Sequence, residues 1–514
     1  GSRSVAIGAY TLNAQNFTTA TDSYNTAVGH NAGNSVSTGI KNTIIGGLAG
    51  DQLADADFNV AVGYGSLSTD DLGSKSTAVG TFALEAQNYA TATDSHNTAI
   101  GYFAGNQITT GINNTLIGGL AGDALTDADS NTAVGYNALT TNTVGSQSTA
   151  VGSGALALQN PATAASMLNV AVGYDAGNQI TTGVQNTLIG GLAGDALADF
   201  GGDNVALGFE ALSGETRSSR NTAIGRGALQ VQNINANSNS YNTAVGALAG
   251  TSLTTGTTST IIGGLAGNYV TTAPTSTFVG YSAGRGISGQ GLTGSFNTAI
   301  GNAAGYNLST SGSKNTFLGM YAGYYNGTTS TANGITTGTN NTGIGYAAYP
   351  TSATVSNEFT LGNGDVANLR CADTSISALS DERDKTNIVD VPLGLDFINT
   401  LRPVSFDWNR RDGSNVGKKD FGFIAQELKT AQAATDYADH MRLVHEGTVF
   451  IPDAENANEG TLDADGNPVL DVSGTVQDAL EADPMKTYPV LVKAVQELST
   501  ALDAALARIA TLEG

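Results

Sequence analysis

Asn25-Thr26-Ala27-Val28-Gly29 is one copy of a motif that recurs, with small variations, from the first residues to Gly362. It is too short and too β-branched for a helix, and a glycine closes it, so it reads as a brief strand that ends in a turn. Alternate side chains point to opposite faces of a strand: Thr26 and Val28 share one face, and Ala27 lies on the other. Elsewhere the Val28 position holds Val, Ile or Leu, while the Ala27 position is mostly Ala, sometimes Ile44, Leu116, Leu188 or Phe317. Both faces are therefore apolar and both need a cover, which in a chain this poor in helix signals only other strands can supply.

The closing glycines run Gly8, Gly29, Gly46, Gly63, Gly80 and onward to Gly345 and Gly362, at intervals of 21, 17, 17 and 17 residues that make a unit of 72. The pattern drifts after Gly190, and one late interval, Gly319 to Gly345, reaches 26 residues. Identical short rungs stacked in register imply a parallel β-roll or solenoid. One strand face fills the coil; the other, lined by small alanines, is expected to receive a second copy of the coil. Twenty rungs at about 4.8 Å each predict a shaft about 95 Å long.

The composition fits a repeat protein better than a globular one: 67 of 514 residues are glycine and only 13% are charged. Disorder is disfavoured because the apolar positions are periodic. A net charge of −23 argues against nucleic acid or an anionic membrane as partner and leaves neutral glycans or proteins. Cys371 is the single cysteine, and His30, His96, His440 and His445 lack metal-ligand spacing, so no disulfide within the chain, metal or cofactor is expected. No apolar run reaches the length of a membrane span, and no signal peptide is recognisable. Gly1-Ser2 reads as the remnant of a cleaved tag, so the residues that attach the shaft to something are expected upstream.

Ser4-Val5-Ala6-Ile7-Gly8 resembles the repeat core of trimeric autotransporter adhesin heads, and Asn131 to Leu139 is similar to arrays in phage tail fibres. Over residues 3 to 362 the first resemblance implies a left-handed parallel β-roll that trimerises about the fibre axis. The 21-residue intervals share the pairs Gln15-Asn16, Gln87-Asn88, Gln159-Asn160 and Gln232-Asn233, which should recur along one edge as a multivalent receptor surface or else pack internally. The longest interval holds Tyr321, Tyr324 and Tyr325, which read either as sugar-stacking aromatics or as plugs closing the solenoid.

After Gly362 the periodicity stops and charge density rises. The expected division is a shaft over residues 1–365, a linker over 366–379 and a small α+β module over 380–514. Leu379 is followed by Ser380-Asp381-Glu382-Arg383-Asp384-Lys385-Thr386-Asn387-Ile388, and further on come Leu401 to Trp408 and Phe421 to Leu428. Together they resemble the endosialidase-type intramolecular chaperone, a self-cleaving serine peptidase at the C-termini of phage tailspikes and fibres. The resemblance implies a cut at Leu379-Ser380, with Ser380 as nucleophile and Lys385 as its base. A lysine serves as base when burial or a nearby cation lowers its pKa. Arg383 could supply that cation, whereas Asp381 and Asp384 would oppose it unless they point elsewhere or pair with Arg383.

Asp463 to Asn467 lacks the remaining ligands of a calcium loop and reads as a hairpin turn. Leu491, Val495, Leu498, Leu502, Ala505, Ile509 and Leu512 repeat at fours and threes, the seam of a coiled-coil helix over about 486–513. The combined expectation is a homotrimeric phage tail fibre. It is made in the host cytoplasm, carried on the virion by an upstream attachment protein, and directed at a host glycan or protein receptor without nucleic-acid binding or membrane insertion. Its chemistry is single-turnover autocleavage with no external substrate. The rivals are a fragment of a tailspike glycan depolymerase and a bacterial trimeric adhesin.

Overall fold

The computed structural model describes residues 2–308, 311–324, 337–363, 366, 369, 383, 385–409, 416–452, 461–462, 468–469, 474–482 and 487–513. Twenty three-residue strands form a parallel β-solenoid, from Val5–Ile7 to Phe359–Leu361, each ending at the glycine that closes its motif. We number them as rungs 1 to 20. Pairing between rungs is in register: Thr26, Ala27 and Val28 sit beside Thr43, Ile44 and Ile45, which sit beside Val60, Ala61 and Val62. The first eighteen rungs belong to one compact unit, and the last two, which pair with each other, to a second.

The corner glycines are obligatory. Gly29 has φ +141°, and a Cβ there would sit 2.4 Å from the carbonyl oxygen of Gly46 on the next rung. A side chain would meet backbone that cannot move without breaking the stack.

The two strand faces are the reverse of the expectation. Ala27, Ala61, Ala78 and their equivalents are fully buried inside the coil, whereas the Val28-type residues face outward, with Ile45 at 40% and Ile117 at 37% exposure. The reason lies in what else fills the coil. On rungs 1 to 17, four residues past the corner glycine stands either Leu (Leu67, Leu84, Leu139, Leu156) or Gly (Gly33, Gly50, Gly105, Gly122); seven past it stands a residue of the opposite character. Where the fourth is Leu, the seventh is polar, as in Asp70, Gln87, Asn142 and Gln159; where the fourth is Gly, the seventh is Val36, Leu53, Ile108 or Leu125. With one large apolar residue already supplied from the far wall, the strand centre has room for alanine on most rungs.

The larger centres come with glycine. Leu116 lies where a Cβ on Gly105 would meet its Cδ1 at 2.6 Å and a Cβ on Gly122 its Cδ2 at 2.8 Å. Leu188 and Gly177 repeat this, with the Cβ to Cδ1 distance at 2.7 Å. Two rungs of one kind and two of the other make the 72-residue unit: it is a packing period in which volume removed at one position is restored at another.

A buried polar ladder runs beside this core. Asn42 is fully buried: its Oδ1 takes the backbone N–H of Asn59 at 2.8 Å, and its Nδ2 donates to the carbonyl of Ala56 at 2.7 Å. Asn97, Asn114 and Asn131 repeat the pattern, Asn114 N–H donating to Asn97 Oδ1 at 2.9 Å and Asn131 N–H to Asn114 Oδ1 at 2.9 Å. Each rung thereby closes a donor and an acceptor of its neighbour that burial would otherwise leave unpaired.

Candidate functional site

Two kinds of candidate residue come from the shaft. In the Gln-Asn pairs the structure separates the partners. Gln87 is fully buried: its Nε2 donates to Asp70 Oδ2 at 2.6 Å and to Ser76 Oγ at 3.0 Å, while its Oε1 accepts from Asn97 Nδ2 at 2.9 Å. It completes the polar ladder at a rung where Ser76 stands in place of asparagine. Gln159 does the same beside Ser148, and Gln232 bonds Glu215 and Asn242. As a surface residue Gln87 is thus corrected to an interior one, because the longer turn turns its amide inward to meet otherwise unpaired groups. Gln15 is half-buried against Ser23. Asn16 and Asn88 are exposed, and their backbones pair with the next rung.

Burial raises the pKa of Asp70 above its ordinary 3.8, opposed in part by the Gln87 and Gly73 hydrogen bonds. Tyr321 and Tyr324 are half-buried, Tyr321 with φ +60° at a turn, and Tyr325 lies outside the described residues. The extra residues of the long turns add short parallel pairings of their own, Gly73–Ser74 with Thr93–Asp94 and Gly145–Ser146 with Ala165–Ser166.

The C-terminal candidates sit in a module built round one small core. The module holds helix α1 (Leu395–Ile398), helix α2 (Ala425–Ala433), helix α3 (Ala438–Met441), helix α4 (Tyr488–Glu513) and an antiparallel pair, Val404–Asp407 with Lys419–Gly422. A longer hairpin joins Val444–Pro452 to Gly474–Ala482. Phe397, Leu428, Met441, Leu443 and Val490 form the buried cluster, flanked by Leu393, Leu401 and Phe423. The core therefore draws on α1, α2, α3 and the first turn of α4.

Polar contacts tie the sequence blocks together. Arg402 and Glu427 form a two-point ion pair, with Nε to Oε2 at 3.0 Å and Nη2 on Oε1, so the Leu-Arg-Pro and Ala-Gln-Glu segments meet. The Arg402 hydrogen bond and charge hold the Glu427 carboxyl below its ordinary pKa. Glu497 on α4 accepts the Leu395 N–H at 2.8 Å and so caps α1; Gly394 leaves room for it, since a Cβ there would lie 2.2 Å from Glu497 Oε2. Trp408 stands edge-on to Phe406 with ring centres 5.1 Å apart. Nothing local in the sequence pairs Arg402 with Glu427; two opposite charges, each beside an apolar run, are the signal it offers.

Leu379, Ser380 and Asp381 lie outside the described residues; Arg383 and Lys385 are described and exposed. A family model for the chaperone of endosialidase matches residues 380–440. The match covers the α1, α2 and α3 part of the module and the Arg402–Glu427 pair, and it implies a self-cleaving chaperone domain. Nothing among curated proteins or among solved structures matches the chain. A β-solenoid shaft followed by such a domain is consistent with a protein of the phage tail-fibre or tailspike type. Among the described residues no helix is long and apolar enough to cross a membrane, and no group of three or more His, Cys, Asp or Glu could hold a metal.

Proposed function

We propose that the chain is a subunit of a homotrimeric phage tail fibre whose C-terminal module joins three chains, sets their register and then frees itself by cutting Leu379-Ser380. The observation that carries the reading is the chaperone match beginning at residue 380, downstream of a repetitive solenoid whose outward strand face is apolar on rung after rung. Parallel pairing between long, near-identical chains is slow and prone to slip, so a nucleus that binds three copies first raises their effective concentration and fixes the alignment.

The surface we assign to chain association is the outward Thr/Val/Ile face rather than the alanine face, which the coil itself occupies. In the module, Val495, Leu498, Leu502, Ile509 and Leu512 are exposed along α4, which supplies a seam for helices of other copies. Fibres of this design sit on the virion and meet a host receptor; the exposed Asn16 and Asn88 of the long turns are candidate contacts.

In the cut, Ser380 Oγ adds to the Leu379 carbonyl carbon as Lys385 takes the hydroxyl proton. The peptide C–N bond breaks as Lys385 returns the proton to the Ser380 nitrogen, leaving a free Ser380 amine and an ester between Leu379 and Ser380 Oγ, which water hydrolyses to a Leu379 carboxylate and the Ser380 hydroxyl. Intact mass and N-terminal sequencing of the assembled protein test this. The expected products are residues 1–379 and 380–514; Ser380→Ala and Lys385→Ala should stay full length, and Lys385→Arg should not rescue, because arginine remains protonated. A wild-type chain that assembles yet stays whole would remove the peptidase from the reading.

A further inference from the structure

One residue past each corner glycine, the shaft carries a column that alternates large and small. Even rungs 2 to 12 hold His30, Tyr64, Tyr102, Tyr136, Tyr174 and Phe209; odd rungs 1 to 11 hold Ala9, Gly47, Thr81, Gly119, Ser153 and Gly191. The rings stand well clear of the coil: Tyr64 is 51% exposed, Tyr102 59%, Tyr136 58%, Tyr174 62% and Phe209 50%. Within these twelve rungs the bare glycines show where three of the rings rest. A Cβ on Gly47 would meet Tyr64 Cδ2 at 3.4 Å, one on Gly119 would meet Tyr136 Cδ2 at 3.6 Å, and one on Gly191 would meet Phe209 Cδ2 at 3.5 Å. Such a ring leans over the rung before it and covers two rungs. The result is an aromatic track with one ring about every 9.6 Å.

The track is distinct from the face assigned to association. The outward Val, Ile or Leu of each strand continues to Leu361, whereas the column position turns to Arg226, Ala247 and Asn302 on rungs 13, 14 and 17 and returns to a ring at Tyr281 on rung 16 and Tyr346 on rung 19. A contact between copies is needed along the whole shaft. A ring on every second rung without a break is found over the first twelve rungs, and serves something local to them.

We propose that this column binds an extended, neutral, β-linked glycan lying along the shaft. A pyranose ring offers a face of C–H groups that packs on an aromatic ring, and tyrosine adds a hydroxyl for the sugar's own hydroxyls. In a β-linked chain whose successive residues are turned over, every second sugar presents the same face, which suits one ring per two rungs. The net charge of −23 disfavours acidic sugars. The proposal names the ligand class within the receptor-binding reading and rests on that reading only for where the glycan comes from.

Calorimetric titration of the assembled full chain with cellohexaose tests it. Saturable binding is expected, about three- to tenfold weaker in Tyr102→Ala, the range of one aromatic contact. It should be lost in the Tyr64→Ala, Tyr102→Ala, Tyr136→Ala triple variant and largely kept in Tyr102→Phe. Maltohexaose, which curls, should bind more weakly. Absent binding by the wild type, equal binding of the two sugars, or undiminished binding by the triple variant each overturns the proposal. So does a change in the triple variant's particle mass by light scattering, which would make the rings a contact between copies. A monomeric wild type that binds cellohexaose would sink the trimeric reading alone.

Discussion

The shaft and the C-terminal module bury their groups by opposite strategies. In the shaft each buried asparagine, alanine and leucine meets partners one rung away, so the whole is close to a sum of nearest-neighbour terms. In the module, Phe397, Leu428, Met441, Leu443 and Val490 come from separate helices and loops and share a single cluster. Injury to the shaft should therefore stay local, whereas injury to the module should spread through all of it.

The largest expected effect, more than about 4 kcal/mol, comes from Gly118→Val, which places a Cβ 2.5 Å from the Gly135 carbonyl oxygen at φ +135°. Limited proteolysis should cut the shaft at the rungs of Gly118 and Gly135 while distant rungs stay protected; a shaft that resists cleavage there as the wild type does would mean that the corner can relax.

Phe397→Ala empties the centre of the module and should cost about 3–5 kcal/mol. Proteolysis should digest residues 383–513 while a shaft already assembled stays protected.

Asn114→Ala leaves the Asn131 N–H and the Ala128 carbonyl, at 2.9 and 2.8 Å in the ladder, without partners. About 2–4 kcal/mol should be lost. Hydrogen exchange should speed up near residues 114 to 131; uniform loss along the shaft would contradict the nearest-neighbour picture.

The smallest effect is one of pH. A folded-state pKa raised by burial, as at Asp70, means that the folded chain holds the proton more tightly than the unfolded one. The stability from this group is complete below the unfolded value of 3.8 and is lost as pH rises through the raised folded value. Thermal melts of the wild type should climb on acidification toward the carboxylate range, and Asp70→Asn should flatten that climb. Asn142, which stands at the equivalent place one unit later and bonds Gly145, shows that asparagine fits.

The rungs were legible because every strand ends in a glycine that no other residue can replace, and the spacing of those glycines is visible in the chain. Which strand face lies inside was not. Period-two alternation separates Ala27 from Val28 but says nothing about the far wall, and it is Leu67 or Leu53 that decides how much volume the strand must supply. The choice between surface and interior for Gln87 stayed open for a related reason: a glutamine in a long polar turn fits either until Ser76 is seen to leave a gap in the asparagine ladder. In the module, the expected helix over about 486–513 and the observed Tyr488–Glu513 agree because its heptad spacing is a local signal. The pairing of Arg402 with Glu427, 25 residues apart, depends on the fold.

The alternation of leucine and glycine across four rungs also makes the shaft a ruler with coarse graduations. A genetic gain or loss of one 17-residue turn would break the pairing of like rungs, leaving three leucine or three glycine rungs in a row, or one alone between two of the other kind. A gain or loss of a full 72-residue cassette restores every neighbour, so removing residues 81–152 should yield a fibre about 19 Å shorter and as heat-resistant as the parent. Length in such proteins would then vary between variants in steps of four turns, with the reach of the particle adjusted by recombination between copies of the cassette rather than by point mutation.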